Sequence, residues 1–205
     1  MAEYSIAPMY DLLLYPFVQK IRKKILKHCV SENYQSIIDV CCGTGNQLKL
    51  LKKHGFQVTG IDLSTEMLQV SKKGKYAPDC RHEDAARMSF PDNRYDMAMT
   101  TFALHEKEGP VAREILREMI RVVRPGGRIL LIDFYFTSRS SHLSKSIISL
   151  IERNAGGDHF RNFREFIRYG GISALMDGFP LKIDKMEYAG MRSIGMFILR
   201  NEKTE

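Results

Sequence analysis

The stretch IIDVCCGTGN, Ile37 to Asn46, decides how this chain folds, and GIDLS, which carries Asp62, completes it. The apolar run through Asp39 and Val40 has the composition of a parallel strand buried on both faces. It stops at a loop whose Gly43 and Gly45 remove side chains where a ligand must meet the backbone. Helix-compatible residues resume at Gln47, and a second apolar run, 57–61, delivers Asp62 to the same edge of the sheet. Strand, glycine loop, helix, strand and terminal carboxylate together make a nucleoside pocket. The carboxylate can accept both ribose hydroxyls while the loop backbone meets the rest of the ligand.

Which nucleoside is decided by what the loop lacks. A dinucleotide fingerprint has a third glycine where this chain has Leu48, and a phosphate-binding P-loop would need Gly-Lys followed by Ser or Thr. No Lys or Arg lies between Ile37 and Gln47 to answer a phosphate. Such a loop suits a nucleoside with an amino-acid tail, which is the shape of S-adenosylmethionine.

Five blocks in order, IIDVCCGTG, VTGIDLSTEML, HEDAARMSFPDNRYD, MTTFALHE and EMIRVVRPGGRILLIDF, run from about Ser36 to Phe134. Together they resemble the class I S-adenosylmethionine-dependent methyltransferases, in the branch of the ubiquinone and menaquinone enzymes and small phospholipid or small-molecule methyltransferases. The resemblance implies a Rossmann-like, doubly wound α/β fold with a seven-stranded mixed sheet in the order 3-2-1-4-5-7-6. It also implies residue roles. The backbone around Cys41, Gly43 and Gly45 would contact the methionine moiety, and Asp39 is counted with the cofactor-binding residues. Asp62 would hold the ribose hydroxyls, and Leu63 and Met67 would flank the adenine. Asp84 would accept from the adenine amino group with Ala85 beside it, and Thr101 and Phe102 would floor the sulfonium. The product would be S-adenosylhomocysteine. One departure is Cys41, where the family usually has Gly. A Cβ there calls for negative φ, so a slightly reshaped loop is expected.

Along the chain, 9–30 reads as a helical region interrupted near Pro16. Strands are expected at about 36–41, 57–61, 80–83, 95–101 and 128–134, with helices at about 45–54, 64–73 and 110–123. Ser64 is placed to cap its helix. Pro125, Gly126 and Gly127 should end the helix before the fifth strand and make a tight turn. Alternation of this kind gives an open parallel sheet with helices on both faces. Residues 138–178 read as helices broken by Gly156, Gly157, Gly170 and Gly171, and two runs at about 181–189 and 194–200 form an antiparallel ending. The expectation is one domain over 1–205, with an N-terminal helical lid at about 1–33 and a substrate-side insertion at about 138–178.

At 205 residues, 44% hydrophobic and 27% charged, the chain has the balance of a soluble globular protein. It holds no apolar run of membrane-spanning length and its start lacks the pattern of a leader, so a cytoplasmic location is expected. Cys29, Cys41, Cys42 and Cys80 form no CxxC pair, and neither His nor Cys shows ligand spacing, so no metal is expected. The charge of +7 is spread over several helix faces. The stripe Phe17, Val18, Ile21, Ile25 and Cys29, with Lys20, Lys23, Lys24 and Lys27 around it, is compatible with peripheral membrane contact but more simply with packing. The Pro-Pro-aromatic motif of base-amino methyltransferases is absent after strand four, where the chain reads TTFALHE. A nucleic-acid substrate is therefore not expected and the acceptor should be a small molecule. A nucleic-acid methyltransferase, a non-catalytic S-adenosylmethionine binder or an enzyme of the NAD type are the alternatives.

Methyl transfer from a sulfonium needs no acid, and positioning alone supplies about 7–11 kcal/mol for well-oriented reactants. A base is required only when the acceptor must lose a proton. His105, after strand four, is the candidate, since its ordinary pKa lies near neutrality. Tyr10, and less strongly Tyr15, could close over the cofactor as a lid. His159, Arg161, Asn162, Arg164 and Tyr169 interleave aromatic and basic groups that could meet a planar or anionic acceptor, or could be an amphipathic helix with Phe160, Phe163 and Ile167 inward. His142 lies among serines and should be exposed. The acceptor pocket is expected between the N-terminal region and 138–178, and a quinol or phenol, a lipid amine or another metabolite would fit it.

Overall fold

The computed structural model describes residues 7–204, with side chains from Val18 onward. Two compact units are separable, Met1–Tyr34 and Gln35–Glu205. The first holds α1, Ala7–Glu32. This helix runs without a break through Pro16, against the expected interruption. A lone proline removes one backbone hydrogen bond and bends a helix, but a run of helix formers on both sides can carry it past. Ile21, Ile25 and Cys29 are buried, and Lys20, Lys23, Lys24 and Lys27 are exposed.

The second unit is built on seven strands in the order β3-β2-β1-β4-β5-β7-β6. The strands are β1 Ser36–Val40, β2 Gln57–Asp62, β3 Asp79–His82, β4 Tyr95–Thr101, β5 Val123–Phe134, β6 Leu181–Ala189 and β7 Ile194–Asn201. The first five pair in parallel, and β7 pairs antiparallel with both β5 and β6. Ile37, Ile38, Asp39 and Val40 are all buried. Consecutive strand residues face opposite sides, so both faces of the sheet's centre are covered. One face joins Ile38, Val40, Ala98, Ile129 and Leu131 to Ile115, Leu116 and Met119 of α4, Gly109–Val122, in a single apolar cluster.

Helices α2 Asn46–Lys53 and α3 Thr65–Ser71 follow their strands as expected, and the Ser64 hydroxyl caps α3 by accepting from the Met67 amide at 3.2 Å. The 138–178 region resolves into α5 His142–Asn154, α6 Gly157–Arg168 and α7 Gly171–Met176, separated at the four glycines. The Pro125-Gly126-Gly127 turn is reshaped. It lies inside β5 as a bulge, because Tyr95 pairs with Val123 and Met97 with Arg128. Gly126 takes φ 71°, and a Cβ on Gly127 would stand 2.8 Å from the Asp96 carbonyl oxygen. Strand hydrogen bonding to β4 therefore resumes at once after the helix, and the glycines absorb the extra length.

Gly60, in the middle of β2, makes the sheet's glycine edge possible. A Cβ there would lie 2.6 Å from Leu48 Cδ1, 2.7 Å from Cys42 Sγ and 2.8 Å from Cys80 Sγ. The two thiols, which come from either side of β2, approach to 3.8 Å over it. Gly60→Ala should cost about 1–3 kcal/mol through overpacking. Urea unfolding checks this, and a loss below about 0.5 kcal/mol would show that the neighbours give way freely.

Candidate functional site

The loop after β1 is drawn onto the end of β2. The Cys42 amide donates to the Ile61 carbonyl at 2.9 Å and the Gly43 amide donates to Asp62 Oδ2 at 2.7 Å. Asp62 Oδ1 accepts from the Ser64 amide at 2.8 Å. A carboxylate has about four lone-pair sites, so Asp62 keeps one on each oxygen for a diol while it braces the loop.

The two loop glycines have separate reasons. Gly43 has φ 52° and nothing within 4 Å of where its Cβ would stand, so its bare face opens onto free space that a ligand can enter. Gly45 has φ 66°, and its Cβ would meet Ser71 Cβ at 3.0 Å and Pro78 Cγ at 3.3 Å. Gly45 is thus demanded by the protein's own packing as well as by the turn.

Cys41 corrects the sequence reading. Its φ is +61°, in the left-handed region, where negative φ was expected. The loop keeps the backbone path that favours glycine and the cysteine bears the strain, which is about 1–3 kcal/mol for such residues. Burial pushes the Cys41 thiol up to about 12, with Lys107 opposing. It is a protonated packing group and no nucleophile. Cys41→Val, β-branched in the same conformation, should destabilise the fold by about 1–3 kcal/mol, whereas Cys41→Gly should be neutral or stabilising. Denaturant midpoints of the two variants decide it.

The remaining residues implied by the resemblance flank this loop. Leu63 is 57% exposed, an unusual state for a leucine beside a carboxylate, and Met67 is half-buried. Asp84 is exposed and its Oδ1 accepts from the Ala86 amide at 2.9 Å, with Ala85 buried next to it. Thr101 and Phe102 end β4 half-buried, Phe102 with φ 55° and its amide on the Ile132 carbonyl at 2.8 Å. Asp39 is buried at 5% exposure. The side chains of Tyr10 and Tyr15 lie outside the described residues.

His105 does not stand as the free base that the sequence suggested. It is buried, with Nδ1 2.6 Å from Asp133 Oδ1 and Nε2 3.3 Å from Glu152 Oε2. Burial works against its charge, but the Asp133 and Glu152 carboxylates outweigh that and raise it to about 10. Burial likewise opposes the Glu152 carboxylate, yet His105 and His159 hold it down at about 2. A base needs a neutral ring with a nitrogen facing the acceptor, and both nitrogens here are taken.

Sequence reasoning missed Asp133, Glu152, Glu106 and Lys107. Asp133 Oδ2 accepts from the amides of Leu104 at 3.0 Å and His105 at 3.2 Å, and so holds the turn after β4. Lys107 pairs with Glu106 at 2.7 Å; burial opposes its charge, but the Glu106 carboxylate, with a smaller contribution from Asp62, raises its pKa. The acidic residues of LHE and LIDF were visible in the blocks, but nothing local marked Asp133 as the partner of the turn at Leu104 and His105, or Glu106 as a neighbour of His159 on α6.

In α6 the aromatic–basic run is amphipathic. Phe163 is buried, Phe160 and Ile167 are half-buried, and Arg161, Arg164 and Tyr169 are exposed. A groove of about 630 Å³ runs along it, lined by Phe136, Phe160, Phe163, Arg161, Arg164 and Arg168 among others. Asn162 is buried and donates to the Glu106 carbonyl at 2.9 Å, and His142 is exposed at the start of α5.

Residues 38–131 match the methyltransferase domain family. The demethylmenaquinone methyltransferase of Listeria welshimeri is 32% identical over 141 residues, 63% of this chain and 59% of the relative. The chain thus spans under two thirds of the length of the curated relatives it matches. The PH0226 protein of Pyrococcus horikoshii has a TM-score of 0.62 at 18% identity, over 97% of this chain and 92% of its own. The magnesium protoporphyrin IX methyltransferase of Synechocystis, solved with bound SAH, has a TM-score of 0.63 at 14% identity, over 89% of this chain and 82% of its own. Sheet order and glycine loop are those of a Rossmann-like fold, and the central part of the chain is similar to the methyltransferase domain. More narrowly, the curated relatives that the chain is similar to are demethylmenaquinone methyltransferases. Among the described residues no helix is long and apolar enough to cross a membrane.

Proposed function

We propose that this protein transfers a methyl group from S-adenosylmethionine to a small-molecule acceptor. The observation that carries the reading is the pairing of Asp62 with the Gly43 amide at 2.7 Å beside the open space at Gly43. The donor set fits the cofactor, because Asp62 has lone pairs left for a diol and the exposed Leu63 offers an apolar face for a flat ring. Asp84 would accept from the adenine amino group with Ala85 and Met67 beside the ring. Cys41, Gly43 and Gly45 would contact the amino-acid tail through their backbone, with Asp39 behind them. Lys107 adds a cation that suits the tail's carboxylate. Buried Leu48 stands where a dinucleotide fold needs its third glycine, which speaks against NAD.

Bound S-adenosylmethionine supplies an electrophilic methyl group. Thr101 and Phe102 would form the floor that aims the acceptor at it. With His105 engaged on both nitrogens, the chain's contribution is orientation and exclusion of water, and effective concentration can lower the barrier by about 7–11 kcal/mol. An acceptor that arrives already nucleophilic suits this best. The groove along α6 combines Phe136 and Phe160 with Arg161, Arg164 and Arg168, and favours a planar or amphipathic acceptor carrying negative charge. A quinol or phenol that arrives as its anion, met by the arginines of the groove, is the leading class, in keeping with the name of the Listeria relative. A lipid amine is the second reading.

Loss of a bidentate charge-assisted contact costs a few kcal/mol, so Asp62→Ala should weaken S-adenosylmethionine binding at least about tenfold while the far-ultraviolet circular dichroism stays unchanged. Calorimetry with S-adenosylmethionine, S-adenosylhomocysteine and NAD is the check. Equal affinity in the folded variant would remove Asp62 from the site, and a preference for NAD would overturn the cofactor. For the acceptor, the protein is incubated with methyl-labelled S-adenosylmethionine and a panel of quinols, phenols and lipid amines, and products are read by mass spectrometry. Label on a quinol or phenol is expected. Label only on lipid amines would support the second reading, and label on none, with the cofactor bound, would point to a non-catalytic binder.

A further inference from the structure

We propose that His105, Glu152 and His159 form a binding site for one divalent first-row transition-metal ion of the zinc class. Their donor atoms lie within 4.8 Å of one another. Glu152 Oε2 stands 3.3 Å from His105 Nε2 and 2.5 Å from His159 Nε2. A tetrahedral ion with bonds of about 2.0–2.2 Å spaces its ligands roughly 3.3 Å apart, so one of the three edges is already at that length, a second must open by under about 1 Å, and the third, between the two imidazoles, lies within 4.8 Å.

The surroundings have the form of a metal centre's outer ring. Each imidazole directs its other nitrogen at a second carboxylate: His105 Nδ1 is 2.6 Å from Asp133 Oδ1, and His159 Nδ1 is 3.5 Å from Glu106 Oε2. Such carboxylates fix the tautomer and ring orientation and raise the basicity of the ligating nitrogen. Asp133 is itself held by the Leu104 and Phe134 amides at 3.0 and 2.7 Å, so the His105 ring has little freedom to turn.

Burial adds a direction of access. The side chains of His105 and Glu152 are 4% and 8% exposed, and that of His159 is 24% exposed. An ion can enter past His159, and three protein ligands leave a fourth position for water or another donor. Two imidazoles and one carboxylate select zinc, cobalt or iron over magnesium and calcium, which take oxygen ligands throughout. The ligands come from the turn after β4, from α5 and from α6. The ion would therefore clamp the helices that line the arginine-rich groove onto the end of the central sheet. His105 is also 4.7 Å, centroid to centroid, from Phe134, which is 5.5 Å from Phe102.

The test uses the full chain after exhaustive dialysis against a chelator and then against buffer. Calorimetric titration with zinc chloride should show one equivalent bound, and cobalt chloride should give the intense visible absorption of a near-tetrahedral ion. His159→Ala and Glu152→Gln should each weaken zinc binding by at least about tenfold, and Glu106→Gln by about tenfold through the ring it orients. Thermal unfolding and circular dichroism report whether the variants are folded. Zinc bound equally by wild type and by folded Glu152→Gln would overturn the site. So would no binding at one equivalent, or only the weak spectrum of octahedral cobalt in the wild type, whatever the variants do. Magnesium chloride in place of zinc should give no heat of binding. None of these measurements uses the cofactor, so their outcome is independent of the methyl-transfer reading.

Discussion

A single carboxylate at the end of β5, Asp133, holds the chain where it leaves β4. It is 1% exposed and accepts from the amides of Leu104, His105 and Phe134 and from the His105 ring. A buried carboxylate is tolerable only with such a full set of donors, and removal of any one leaves charge unanswered in a poorly polarisable interior. Because β4 and β5 pair in parallel through Thr101 and Ile132, this clasp settles where Thr101, Phe102 and His105 point. The end of β4 and the anchor of the α5–α6 region thus depend on the same side chain.

Asp62 does comparable bracing at the end of β2. It holds the glycine loop with one oxygen and the start of α3 with the other, so the proposed ribose acceptor would also be the loop's support. The loop reaches its ligand-ready path even with a cysteine where glycine is favoured, since the Cys42 and Gly43 hydrogen bonds to β2 outweigh the strain at Cys41. Preorganisation of this kind leaves little to reorder when a ligand arrives, the economy expected of a site that acts by orientation.

The α5–α6 region is built differently. Helix α6 carries arginines outward and the Phe163 ring inward, and polar groups join α5 and α6 to the turn after β4: Glu152 on His105, His159 on Glu152, and Asn162 on the Glu106 carbonyl. Directional contacts of this sort fix position more narrowly than apolar packing, at the cost of desolvating every partner.

Element order, the glycine loop, Asp62, the Ser64 cap and the broken helices of 138–178 were all legible in the sequence, because each is written in a local pattern of period, cap or glycine. The strand order was reached through resemblance and is what the sheet shows. The Pro125-Gly126-Gly127 bulge and the unbroken α1 were not legible, since both depend on how strongly neighbouring residues sustain the element. Nor was the convergence of His105, Asp133, Glu152 and His159, which lie on a turn, a strand and two helices. Spacing along the chain reports only contacts made within one element. Which residues of separate elements meet is set by the packing of sheet and helices as a whole, and that places His105, a candidate base by sequence, at the buried centre of a four-residue network.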